Sequence, residues 1–239
     1  SSITVGNGVT SIGNGAFANC SGAVSITLGN KVTNIGESAF AGCSGIKKIT
    51  LGDSVTKIAP CSFWYCEDLR EINLSPNMTT IEYSAFFNCS NLEKITIPDS
   101  ITTIENYAFS ECTALKEISL PLSITTIQSS AFENCGLESI IIPDSITNIG
   151  SGAFQNCTTL TTVTIPNSVT EIGNLAFDSC TGLTSITIPR NATIEYGAFD
   201  DVNSEFVMYV YTHSPAHIFA NECGIKFHKI LFCPHTKFS

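Results

Sequence analysis

An alanine–phenylalanine pair, or a near copy of it, recurs nine times along this chain at intervals of 22 or 23 residues. The nine phenylalanines are Phe17, Phe40, Phe63, Phe86, Phe109, Phe132, Phe154, Phe177 and Phe199. A fixed period of this length indicates a solenoid, in which each unit buries its apolar side against the units before and after it. The repeat therefore predicts one elongated domain, where a length of 239 residues alone would suggest one or two globular ones.

Each repeat contains a segment of the form Leu-x-x-Ile-x-Ile, in which apolar and polar residues alternate. Alternation with β-branched residues predicts a short, half-buried strand. The predicted strands are 46–51, 69–74, 92–97, 115–120, 137–142, 160–165 and 183–188. Strands that lie one coil apart are expected to run parallel. A stretch of the form Val-Thr-x-Ile-Gly then supplies two more inward apolar residues before the turn that carries alanine and phenylalanine.

A cysteine stands three residues after each of the first eight phenylalanines. These cysteines are Cys20, Cys43, Cys66, Cys89, Cys112, Cys135, Cys157 and Cys180. Free cysteine behaves as a small hydrophobic residue, so we predict a column of buried, reduced thiols. The alternative is a disulfide ladder, because strands about 4.8 Å apart bring equivalent Cα atoms within bridging range. Equivalent side chains that point the same way rarely reach the required dihedral angle.

The pattern Leu-x-x-Ile-x-Ile-Pro-x-Ser-Val-Thr-x-Ile-Gly-x-x-Ala-Phe-x-x-Cys, which covers about residues 3–200, resembles the BspA-like, or Treponema pallidum type, leucine-rich repeat family. The resemblance implies an α/β leucine-rich-repeat solenoid. In such a solenoid, a right-handed horseshoe carries a parallel β-sheet on one face and short irregular or helical segments on the other. It also implies an extracellular or cell-surface protein of a microbe that binds host or matrix proteins and carries no catalytic residue in its repeats.

The pattern divides the chain into two parts. Residues 1–204 form the repeat array, with an incomplete first repeat, and residues 205–239 form a C-terminal cap and tail. The cap is predicted to be a strand, a helix and a strand. Ser214 suits the N-cap of the helix, Pro215 its first position and Gly224 its end. Since the chain starts inside a repeat, it is expected to be a piece of something longer.

The composition limits the kinds of partner that the chain can bind. The formal charge of -10 and the pI near 4.7 argue against nucleic acid, whose binders carry a basic patch. No run of about 18 apolar residues occurs, so no membrane span is predicted in this segment. We predict no cofactor and no metal, and we expect a monomer.

Two columns of charged residues are predicted to face outward from the strands. The first column contains Lys48, Glu71, Lys94 and Glu117, and the second contains Lys47, Arg70, Glu93 and Lys116. One interpretation is a solvated sheet face whose opposite charges pair with each other, which contributes little. The other is the footprint of a protein partner, and we place the candidate binding site on these eight residues.

Other features suggest weaker alternatives. A column rich in threonine is compatible with ice binding, although the flanking lysines and glutamates would interrupt a flat ice-matching plane. Four residues after the repeats are possible zinc ligands, but their spacing matches no standard motif: Cys223, His228, Cys233 and His235. A disulfide between Cys223 and Cys233 is another possibility. Trp64, the one tryptophan, lies in an irregular repeat and marks either a local irregularity or a contact point.

These observations predict a non-catalytic protein–protein interaction module of a microbial cell-surface or secreted protein, which adheres to a host or extracellular matrix protein. The main alternative is a structural spacer or scaffold that holds another domain away from the cell wall.

Overall fold

Each coil of the solenoid contains two short strands and a turn-rich segment. The computed structural model describes residues 1–230. Three-residue strands form one side of the stack: β1 (Ser2–Thr4), β3 (Ser25–Thr27), β5 (Lys48–Thr50), β7 (Glu71–Asn73), β9 (Lys94–Thr96), β12 (Ser139–Ile141), β14 (Thr162–Thr164) and β16 (Ser185–Thr187). Two-residue strands follow them in the coils: β2 (Ser11–Ile12), β4 (Asn34–Ile35), β6 (Lys57–Ile58), β8 (Thr80–Ile81), β10 (Thr103–Ile104), β11 (Thr126–Ile127), β13 (Asn148–Ile149), β15 (Glu171–Ile172) and β17 (Thr193–Ile194).

Most strands pair in parallel with the strand one coil away, as the period predicts, whereas β6 and β8, β10 and β11, and β14 and β16 do not pair. Strands β1, β3, β5, β7 and β9 form one five-stranded sheet in this order, and β12 pairs with β14. Each three-residue strand from β5 to β16 has a buried middle residue between two exposed ones. The two-residue strands belong to the Val-Thr-x-Ile stretch, for which the sequence predicted inward residues but no ladder.

One predicted strand is missing. Residues 115–120 form no strand, although the alternation Leu-x-x-Ile-x-Leu is intact there. The next coil is one residue shorter than its neighbours, because a single residue, Gly136, separates Cys135 from Leu137 where other coils have two. The strand ladder is interrupted at this point, between β9 and β12.

The turn-rich segments of the repeats are irregular, and the described repeats contain no helix on that side. Each turn uses two residues with positive φ, four positions apart, as at Ser84 (φ 50°) and Asn88 (φ 52°). These residues reverse the chain on either side of the alanine–phenylalanine pair. The backbone still bonds from coil to coil, since the N–H of Phe86 donates to the carbonyl oxygen of Ala108 at 2.9 Å. The helical alternative for this face is therefore wrong for the repeats.

The phenylalanines form a continuous stack through the core. Neighbouring ring centroids from Phe17 to Phe199 lie 5.3 to 5.6 Å apart, and the ring planes differ by at most 12°. Phe206 extends the stack by one ring, at 5.5 Å from Phe199. Rings from Phe40 to Phe177 are fully buried, whereas Phe17 in the first coil is half-buried.

The residues after the repeats form β18 (Val207–Tyr211), α1 (Pro215–Glu222) and β19 (Phe227–Ile230), and the sheet order is β16-β18-β19. The Ser214 side chain accepts a hydrogen bond from the backbone N–H of His217 at 3.2 Å and so caps α1. A capping role for this segment, the domain boundary at residue 204 and the horseshoe curvature stay predictions.

Candidate functional site

The outward side of the three-residue strands, which we call the strand face, carries the predicted binding residues. All eight charged side chains of the two columns are exposed there. The buried isoleucines of β5, β7 and β9 anchor these strands to the core, with Ile72 only 1% exposed. Packing against the phenylalanine stack thus holds the backbone of the strand face in place.

The second column pairs across the coils. Arg70 lies 3.8 Å from Glu93, and Lys116 lies 3.0 Å from Glu138, which belongs to the next coil. All four side chains are more than 60% exposed. Exposed pairs of this kind contribute about 0 to 1 kcal/mol, so this column fits a solvated face.

The first column differs from the second in how its charges are paired. The backbone register places Lys48 beside Glu71 and Glu71 beside Lys94 in adjacent strands. Even so, none of these three side chains, nor Glu117, is in an ion pair within the described part of the chain. The first column therefore offers charges of both signs to a partner, and the structure brings it together over three neighbouring strands.

The failed strand ladder creates a groove that the sequence did not predict. Its volume is about 610 Å³, and its apolar lining includes Ile97, Ile118, Leu120, Leu122, Ile141 and Pro143. Lys94 and Glu117 of the first column also line it. We call this cavity the gap groove. A second cavity of about 540 Å³ lies against the same chain segment and is lined by Glu93, Lys116 and Glu138 among others.

A cluster of aromatic side chains lies on the turns of two coils. The ring of Trp64 lies 4.1 Å from that of Tyr65 and 6.4 Å from that of Phe87. Trp64 is 41% exposed, and both of its neighbours are partly exposed. The sequence singled out the tryptophan alone, because its partner Phe87 comes from the next coil.

The histidines near the C-terminus do not form a metal site in the described residues. The backbone N–H of His213 donates to Nδ1 of His217 at 3.1 Å, so this ring nitrogen already has a partner. Cys233 and His235, which complete the zinc and disulfide alternatives, lie outside the described residues.

Burial disfavours the reactive thiolate form of six cysteines in the column. Burial raises the pKa of Cys43 to about 11 and that of Cys157 to about 12. Burial also raises the pKa values of Cys66, Cys89, Cys135 and Cys180. The thiolate is the reactive form, and it is scarce in such surroundings. Cys20 is the exception to the predicted burial, since the first coil leaves it exposed.

Comparison with known proteins agrees with this architecture. The family described as the BspA type leucine rich repeat region matches residues 1–112 and 79–205, in six copies. The chain belongs to the BspA-type leucine-rich repeat family. No curated protein sequence matches it.

Several solved structures of BspA-type and other leucine-rich repeat proteins are similar to the chain. A leucine rich cell surface protein from Faecalibacterium prausnitzii A2-165 is 27% identical, with 98% of this chain and 80% of that one covered and a TM-score of 0.50. The pneumococcal vaccine antigen PcpA is 17% identical, with 97% and 80% covered and a TM-score of 0.59. A leucine rich repeat protein of T. pallidum is 22% identical, with 95% and 86% covered and a TM-score of 0.36. The likeness to PcpA concerns the fold alone.

No helix within residues 1–230 has the length and apolar character needed to cross a membrane.

Proposed function

We propose that this BspA-type chain is a non-catalytic protein-binding module, and that it binds its partner through the strand face. The observation that carries the proposal is the first charge column. Lys48, Glu71 and Lys94 are exposed, lie side by side on adjacent strands and are not paired with each other. Unpaired charges of both signs on one face can form complementary contacts with charges of a partner.

The proposal also concerns where the protein is located in or outside the cell. A structure 27% identical to this chain is that of a leucine rich cell surface protein. We therefore infer an extracellular or cell-surface setting, and adhesion to a host or extracellular matrix protein as the biological role. Repeat solenoids present an extended, evenly spaced surface, which suits a broad protein partner.

The experiment is a binding measurement with the whole chain against a panel of purified matrix and host-surface proteins. A bound protein is then tested against the double variant Lys48→Glu/Lys94→Glu. Exposed charges mostly steer encounter and are screened by salt. The variant should lower the association rate and reduce its dependence on salt, while circular dichroism remains unchanged.

The matched control is Lys57→Glu, which reverses one charge on β6, away from the strand face. Lys57 lies 3.8 Å from Glu82, so its charge is already partnered. An association rate that falls with Lys57→Glu and ignores the double variant would place the binding site on another face. If no protein of the panel binds, the spacer or scaffold role is favoured instead.

A further inference from the structure

The gap groove lies where the strand ladder is interrupted. Strand β9 ends one sheet and β12 begins the next, and residues 117–119 between them belong to neither. The backbone N–H groups of Glu117, Ile118 and Ser119 donate to no backbone oxygen of the described residues.

Leu122 makes the groove apolar at one end. It is 75% exposed, although it is a large aliphatic residue. The equivalent position, directly after the proline, is held by Asp99, Asp144 and Asn167 in other coils. Leu122 therefore replaces a polar residue at an outward position where no packing requirement favours leucine.

Ile141 makes the groove apolar at the other end. It is 73% exposed and occupies the outward third position of β12. The same position is Thr96 in β9 and Thr164 in β14. Two polar-to-apolar replacements at separate repeat positions thus meet in one cavity, and this cavity is the one at the ladder gap.

The charges at the groove indicate what kind of occupant fits. Lys94 and Glu117 both line it, and neither is in an ion pair in the part of the chain that the structure describes. One column away, Lys116 is paired with Glu138 at 3.0 Å. The groove therefore combines several apolar side chains with one unpaired charge of each sign, which complements an extended peptide with charged residues on both sides of an aliphatic one.

We propose that the gap groove is the docking site for an extended segment of the partner protein, which places an aliphatic side chain between Leu122 and Ile141. The charged residues of the segment face Lys94 and Glu117. This inference rests on the proposed function and narrows it from the strand face to one groove and one class of partner segment.

The test uses linear random peptides displayed on phage and selected against the whole chain. Selected peptides are then synthesised, and their dissociation constants are measured by fluorescence anisotropy. The decisive variant is Leu122→Asp/Ile141→Thr, which installs residues that neighbouring coils already carry at these positions. The matched control is Tyr196→Asn, because Tyr196 is 81% exposed and lies outside the groove.

Selected peptides should contain an aliphatic residue and bind the double variant about tenfold or more weakly, as expected for losing contacts to one buried aliphatic side chain. Their affinity for Tyr196→Asn should be unchanged.

Two outcomes would overturn the groove as the docking site. One is that selection enriches no peptide that prefers the wild-type chain to the double variant. The other is a protein partner that responds to Lys48→Glu/Lys94→Glu and ignores Leu122→Asp/Ile141→Thr. The second outcome would leave the proposed function standing, so failure of the inference and failure of the function are distinguishable.

Discussion

The thiol of Cys66 donates a hydrogen bond to the backbone oxygen of Phe40, at 3.3 Å across 26 residues of sequence. The same oxygen accepts from the backbone N–H of Cys43 at 3.2 Å. Each buried cysteine of the column therefore fills space beside the phenylalanine stack and also donates a hydrogen bond to the coil before its own. This contact explains why a residue with a donor suits a position that is otherwise apolar.

Alkylation rates should distinguish the buried thiols of the cysteine column from the exposed thiol of Cys20. In the native protein, iodoacetamide should label Cys20, which is exposed, far faster than Cys66, Cys89 or Cys180, which are buried. Buried thiols react slowly because burial raises their pKa values. Mass spectrometry of the labelled peptides provides the measurement. Denaturation without reductant should expose the whole column to labelling, and pairs that remain unlabelled there would indicate disulfides.

The raised thiol pKa values should make the fold less stable in alkaline solution. The pKa of Cys43 rises from 9.0 to about 11, chiefly because burial disfavours the thiolate. The unfolded chain therefore loses this proton at lower pH than the folded chain. The contribution of Cys43 to stability is complete below pH 9.0 and is lost as pH rises towards about 11.

Urea unfolding at a series of pH values measures this loss. The matched comparison is Cys43→Ala, whose free energy of unfolding should fall less steeply over the same pH window. Equal slopes for wild type and Cys43→Ala would show that this thiol does not titrate differently in the two states.

The phenylalanine stack should carry much of the stability of the repeats. Phe109 has a ring at 5.5 Å on each side and is fully buried. Phe109→Ala should reduce the free energy of unfolding by about 3 to 5 kcal/mol through lost transfer energy and a cavity. Phe17→Ala should cost less, because Phe17 has a stacked neighbour on one side and is half-buried. Denaturant unfolding compares the two, and a silent Phe109→Ala would contradict the stacked core.

Gly136 should tolerate no side chain. A Cβ added there would collide with the backbone oxygen of Thr113 in the preceding coil. Gly45 and Gly182 hold the same position in full-length coils, and a Cβ added there would also collide with a backbone oxygen of the preceding coil. Gly136→Ala should destabilise the protein by about 1 to 3 kcal/mol, the cost of forcing a backbone shift.

The matched control for that substitution is Gly22→Ala in the first complete turn. An added Cβ at Gly22 meets no atom within 4 Å. Thermal unfolding should therefore show a lowered midpoint for Gly136→Ala alone. Equal midpoints for the two variants would mean that the preceding coil shifts without cost, which would contradict the predicted collision at Gly136.

The period and the alternation predicted the parallel ladder, the inward phenylalanines and the outward charge columns, because each depends on a pattern that every coil repeats. They did not predict the gap at residues 117–119, since the strand pattern there is intact. The gap depends on backbone contacts between neighbouring coils, which the pattern within one coil does not specify. The ion pair between Lys116 and Glu138 likewise depends on side-chain conformations, which the sequence pattern does not specify.

Replacing Leu122 and Ile141 of the gap groove with the residues that other coils carry at these positions should not change the stability of the fold. Leu122 and Ile141 are 75% and 73% exposed, so Leu122→Asp/Ile141→Thr removes little buried surface. Surface substitutions away from packed sites change stability by about 0.5 kcal/mol or less. The double variant should thus match the wild type in denaturant unfolding and should bind less of a hydrophobic dye. A loss of several kcal/mol would instead mean that the two side chains pack against each other and serve the fold, which would remove the structural reason for assigning them to a partner.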